Sequence, residues 1–267
     1  MQFFAPNVLV VGDTIFESDD PTGKPNPPAA AARYEAEVMS LRQKITSRSF
    51  GAQWLDIVGN NPEPIVIVPA SFTNNAEAQT FPNIVQHPNR LNDATNGRGT
   101  PIRVKFNTKA NLGWLGGGVE GEVLLVHELT HAYRSAGGRF TPVKMTGLVN
   151  PISASRNSEL AKRFDNWEEW LSIVVENVFA AESGKKILRT NWDILLPSTA
   201  TDPSYFKFWG ISTVGSLNDS QQFALDYKPA ISRMLNFEPR LFRAMESSTA
   251  WFNPVRDYVA DLMSTRL

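Results

Sequence analysis

Two histidines stand four residues apart in the segment GEVLLVHELTHAYRSAGG, with a glutamate directly after the first. A helix presents positions i and i+4 on one face, so His127 and His131 can offer two imidazole nitrogens to one metal ion. Neutral imidazole is a good zinc ligand, and Glu128 is placed to reach a water on that zinc. In that position a carboxylate acts as general base and then passes the proton to a leaving amine. The chain has three histidines, so two of the three fall in this one motif. An amphipathic helix carrying two incidental histidines would spell the same letters, and spacing alone leaves that alternative open.

Such a site needs a third protein ligand. A longer pattern with histidine six residues after the second ligand is excluded, because Arg134 and Gly137 occupy the positions it would need as glycine and histidine. The remaining histidine, His87, lies in the polar stretch IVQHPNR and reads as a surface residue. There is no cysteine, which removes every thiolate site, disulfide and thiol nucleophile. A carboxylate from FDNWEEWLSIVVENVF is left as the source of the third ligand. Asp165, Glu169, Ser172 and Glu176 share one side of that helix without an interleaved Lys or Arg, a composition that suits the lining of a metal cleft. Plain solvent exposure of these residues stays open. Glu168 borders the apolar stripe and is the rival ligand, or a partner that orients a ligating histidine.

HELTH followed by Glu169 in WEEWLSI resembles the light chains of clostridial neurotoxins, which carry an HELxH helix and a Glu-Glu pair whose second glutamate is the third ligand. The order of segments is also similar to the NleD-like effector metallopeptidases that bacteria inject into host cells. There a short helix like SFGAQWLDIV, strands, HExxH and a Glu-Glu helix ending near Glu-Asn follow one another; here that ending is Glu176-Asn177. The resemblance covers about residues 45 to 190 and is one of order and spacing. It implies a zincin-like fold, Zn2+ as cofactor and His127, His131 and Glu169 as its ligands. It further implies Glu128 as general base and a protein substrate in a target cell, such as a signalling protein. One feature departs: the Arg-x-x-Tyr pair with which the neurotoxins stabilise an oxyanion is missing, leaving Tyr205, Tyr227 and Arg256 as substitutes.

The elements that must position these residues are legible in outline. With 267 residues, 42% of them hydrophobic, and sixteen Phe and seven Trp, the chain can fill a sizeable core. A net charge of −1 gives no electrostatic basis for binding nucleic acid. No apolar run approaches the roughly 20 residues of a membrane span. The first twenty residues lack a basic start and turn acidic, so no signal peptide is expected, and export would use another route into the target-cell cytosol.

DDPTGKPNPPAAAA reads as a linker, followed by helices over residues 30–47 and in SFGAQWLDIVGNN. EPIVIVPAS and PIRVKFNT read as strands, and residues 72–100 as a polar stretch with a hairpin turn at DATNGRGT. A Gly-rich approach, NLGWLGGGVEG, leads into the HELTH helix; a long helix spans 159–183, and the rest is mostly helical. We therefore expect an α+β protein: an N-terminal segment and linker over 1–28, then a single zincin-like catalytic domain over 29–267 with a helical C-terminal part. Its expected activity is zinc-dependent endopeptidase of a secreted effector or toxin. A zinc hydrolase of a non-protein or cell-wall amide, or a non-catalytic zincin-like interaction domain, are the alternatives.

Overall fold

The computed structural model describes residues 1–17, 22–71, 78–82, 90–108, 120–151, 157–162, 164–185, 187–189, 195–197 and 219–265. It is an α+β protein that divides into two compact units, Met1–Thr141 and Pro142–Leu267. Among the described residues no helix is long and apolar enough to cross a membrane.

The first unit is built on a seven-stranded sheet. Its centre is the apolar run β5 (Ile65–Ser71), whose Ile65 and Ile67 are fully buried. On one side β5 pairs in parallel with β2 (Val8–Val10) and, further along, with β3 (Thr14–Glu17). On the other it pairs in parallel with β7 (Ile102–Phe106), which pairs antiparallel with β6 (Ala78–Pro82). The strands β1 (Gln2–Ala5) and β4 (Lys24–Pro25) pair antiparallel with β2 and β3. The described part of the first 28 residues thus carries four strands, where the sequence suggests an N-terminal segment and a linker. The expected strand at PIRVKFNT is β7; it is interior to the sheet, so Lys105 is buried as well as Ile102, Val104 and Phe106.

Between β4 and β5 run α1 (Pro28–Thr46) and α2 (Ser49–Gly59), the helices expected from periodicity. Proline at the first position of α1 suits a residue without an N–H. The tyrosine hydroxyl of α1, Tyr34, donates to the Phe106 carbonyl at 3.2 Å and ties this helix to the end of β7. Burial and the nearby Glu37 charge push that phenol well above its ordinary range, so it stays a neutral donor. The polar stretch 72–100 holds β6 and a one-turn helix α3 (Arg90–Asp93) in its described parts. The hairpin expected at DATNGRGT is a turn after α3 instead, with Gly97 and Gly99 at positive φ, and it does not join two strands directly. His87 and the Gly-rich approach, residues 109–119, lie outside the described residues.

The helix α4 (Gly121–Ala136) carries HELTH and packs against β6, β7, α1 and α2. It ends on Gly138, whose φ of 68° is the left-handed conformation that lets Arg139 N–H reach back to the Arg134 carbonyl at 2.8 Å.

The second unit contains α5 (Asn157–Lys162), α6 (Trp167–Glu182), a small antiparallel pair β8 (Ile187–Arg189) and β9 (Leu195–Pro197), then α7 (Asp219–Asp226), α8 (Lys228–Phe237), α9 (Pro239–Glu246) and α10 (Pro254–Ser264). Its core is aromatic: Phe164, Trp170, Phe223, Tyr227 and Phe252 pack ring against ring at centroid distances of 4.5–6.5 Å. The single long helix expected over 159–183 is two helices. Asn166 interrupts it: its backbone is extended and its side chain accepts from Glu169 N–H at 3.0 Å, starting a new helix at Trp167.

Candidate functional site

The histidine helix is buried almost throughout. From Glu122 to Ala136 every residue of α4 is buried except His131, which is partly exposed. Within that stretch the one partly exposed side chain is thus a candidate metal ligand. Neighbouring elements fix the rotation of α4. Trp54 of α2 donates its indole N–H to Thr130 Oγ1 at 3.2 Å, and Asn61 donates to the Tyr133 carbonyl at 3.0 Å. At the amino end Lys44 of α1 pairs with Glu122 at 3.2 Å. Burial, with a hydrogen bond to the Glu120 side chain second, raises the Glu122 carboxyl above its ordinary value.

Held in this way, His127 and His131 bring their Nε2 atoms to 3.2 Å from each other. Their rings meet edge to face, 4.8 Å between centroids and 79° between planes. A tetrahedral zinc with bonds of about 2.0–2.1 Å places two ligand nitrogens about 3.3 Å apart, so the pair has the separation that such an ion needs. His127 is fully buried, which shields one face of that position from water.

Glu128, 4% exposed, points toward β6. Its Oε2 lies 2.6 Å from Thr80 Oγ1, and its main-chain carbonyl lies 3.0 Å from the same hydroxyl. Thr80 is absent from the sequence reading. The short run AQTFP has too little apolar alternation to declare a strand, and its proline suggests a loop. Only the pairing of β6 with β7 reveals which side chain faces α4.

In the second unit, Glu168 and Glu169 occupy the first turn of α6, where the helix dipole favours carboxylates. The polar side of α6 is not a solvated face. Glu168, Glu169 and Glu176 are at most 4% exposed and Ser172 is fully buried, so from Trp167 to Ala181 this helix is buried on every side. Asp165, expected on the same stripe, lies ahead of the helix and is exposed. Burying three carboxylates on one helix is costly unless each meets a donor, a cation or a metal. In the first unit His127 and His131 offer two imidazole nitrogens, and in the second Glu169 is a buried carboxylate in the first turn of α6. Two imidazoles and a carboxylate form a donor set that suits zinc and leaves a coordination position open.

The substitutes for an oxyanion donor are engaged elsewhere. Tyr227 donates its hydroxyl to the Leu160 carbonyl at 3.2 Å, and Arg256 donates to the Ser248 carbonyl at 3.3 Å. Tyr205 lies outside the described residues. No protein-family model matches this chain, and no curated protein matches it.

Proposed function

We propose that this protein is a zinc-dependent endopeptidase with a zincin-like fold, in which His127, His131 and Glu169 hold the metal and Glu128 is the general base. The observation that carries the reading is the 3.2 Å approach of the two Nε2 atoms on a helix whose one partly exposed residue in its motif is a member of that pair. The Glu-Glu pair in WEEWLSI, whose second member matches the third ligand of the light chains this chain resembles, supports Glu169 over Glu168 as the third ligand.

Zinc bound there would polarise the scissile carbonyl and lower the pKa of its water. The chain's own residues supply the rest. Glu128 follows His127 directly and so sits beside the metal position without facing it as a ligand. Its carboxylate accepts a proton from the attacking water and delivers it to the amine of the departing peptide. Burial of Glu128 and His127 excludes bulk water from that side and strengthens the electrostatics of the transfer.

The order of segments that resembles injected bacterial effectors favours a protein substrate in a target cell. Metal analysis of the purified chain, followed by incubation with a eukaryotic cell lysate and mapping of new protein termini, tests this. Zinc near one equivalent and new termini that vanish with a chelator are expected. Zinc without new termini, but with release of amines from small amides or cell-wall peptides, would favour the non-protein hydrolase. A chain that takes up no zinc would sink the metallopeptidase reading.

A further inference from the structure

Resting on that reading, we propose that Thr80 is a positioning residue for the general base: its hydroxyl holds the Glu128 carboxylate in the orientation that accepts the proton. Thr80 lies on β6, which pairs with β7 alone among the described strands. Its Oγ1 stands 2.6 Å from Glu128 Oε2 and 3.0 Å from the Glu128 carbonyl oxygen. A hydroxyl has one proton to give, and both of those atoms are acceptors. The shorter contact falls in the range of an O–H bond to an ionised carboxylate, about 2.5–2.7 Å, so the proton goes to Oε2.

Two consequences follow for a glutamate that must transfer a proton. A glutamate side chain has three torsions, and one hydrogen bond from a β-strand removes most of the freedom at its end. On this proposal Oε2 is the oxygen fixed by Thr80, and fixing it sets the direction of the whole carboxylate plane. Threonine suits this task, because its β-branch restricts χ1 and keeps the hydroxyl aimed. A misplacement of about 1 Å in a reacting group can cost on the order of 10²-fold in rate.

Thr80→Val keeps the shape and the β-branch while removing the donor, and Thr80→Ser keeps the donor. On a peptide spanning a terminus mapped in the lysate experiment, Thr80→Val is expected to lower kcat by about 10- to 100-fold with KM within about twofold. Thr80→Ser should recover kcat to within about threefold of the parent. In a Glu128→Gln background Thr80→Val should change the residual rate little, since the group it positions is gone. Zinc content should stay at the parent level throughout. A second cycle needs no substrate: thermal midpoints of the metal-free parent, Thr80→Val, Glu128→Ala and their double variant should be non-additive if the bond exists, since alanine leaves the Thr80 hydroxyl no side-chain acceptor.

Unchanged kcat in Thr80→Val, a fall in kcat that Thr80→Ser does not recover, or effects of the two substitutions that multiply independently would each overturn the proposal. Additive thermal midpoints would overturn it even if the variants were too poor in activity to assay. If the parent hydrolyses no peptide, the function reading fails, and with it the catalytic meaning of Thr80, while non-additive midpoints would still establish the bond.

Discussion

The indole N–H of Trp54 donates to Thr130 Oγ1 at 3.2 Å, and the same hydroxyl donates to the Val126 carbonyl at 2.8 Å. The fourth letter of HELTH is therefore structural. It links α2 to α4 through a chain of two hydrogen bonds in a fully buried place. Thr130→Val would strand a buried indole N–H. It is expected to lower stability by about 1–3 kcal/mol, read as a fall in the urea midpoint, while the folded protein keeps its zinc. Thr130→Ser should lose much less.

On the proposed function the role of Glu128 is separable from metal binding. Glu128→Gln is nearly isosteric and leaves both histidines in place. Zinc content should match the parent, and turnover should fall by roughly 10²–10⁴-fold, the usual contribution of a positioned base. Zinc analysis and initial rates on one preparation check both halves. Near-normal turnover would exclude Glu128 as the base.

Glu169 and Glu168 are neighbours separated by about 100° around α6, so both cannot face one metal equally. Glu169→Ala is expected to lose zinc, because two histidines leave a tetrahedral ion short of a protein ligand. Glu168→Ala should weaken zinc by about 10–100-fold if it orients a histidine. Competition with a chromogenic chelator reads both affinities. The reverse ranking would assign the ligand to Glu168, and parent-like zinc in both would move it to Glu176.

How much of this was legible in the sequence differs by residue. His127 and His131 were legible because helical spacing dictates their common face, and Glu128 because it directly follows the first of them. The strand β7 was legible from alternation, although its interior position buries Lys105 too, and alternation cannot distinguish an edge from a centre. Four strands in the first 28 residues were not, since none is longer than four residues and they gain stability by pairing rather than by propensity. The polar face of α6 was read correctly as carboxylate-rich. Its burial was not visible, because periodicity reports where apolar residues lie and says nothing of what covers the polar ones. The break before Trp167 could have been found. Asn166 with a glutamate three positions later is a helix-start signature, overridden in the reading by an apolar repeat running through it.

A pH dependence follows from Glu122. Its carboxyl is raised in the folded protein, chiefly by burial. A raised group contributes stability that is fully present below its unfolded pKa, about 4.3, and lost as pH rises through the folded value. Above that folded value the protein bears the cost of ionising a buried carboxylate, only partly offset by the half-exposed Lys44. Glu122→Gln should melt above the parent at pH 7 to 8, and the two curves should converge near pH 4. A parent that melts higher at pH 8 would show that the Lys44 pair outweighs desolvation.

Asn166 carries the last expectation. It caps α6 through the bond to Glu169 N–H, so it stabilises the turn that holds both candidate carboxylates. Loss of such a cap costs about 1 kcal/mol, within a range of 0.5–2. Asn166→Ala should lower the thermal midpoint modestly, whereas Asn166→Asp, which keeps an acceptor oxygen, should remain near the parent. If Glu169 is a ligand, fraying of this turn also takes a donor away from zinc, so Asn166→Ala should weaken zinc binding together with stability. Weakened stability at unchanged zinc affinity would mean that the metal does not depend on the first turn of α6, and would count against Glu169.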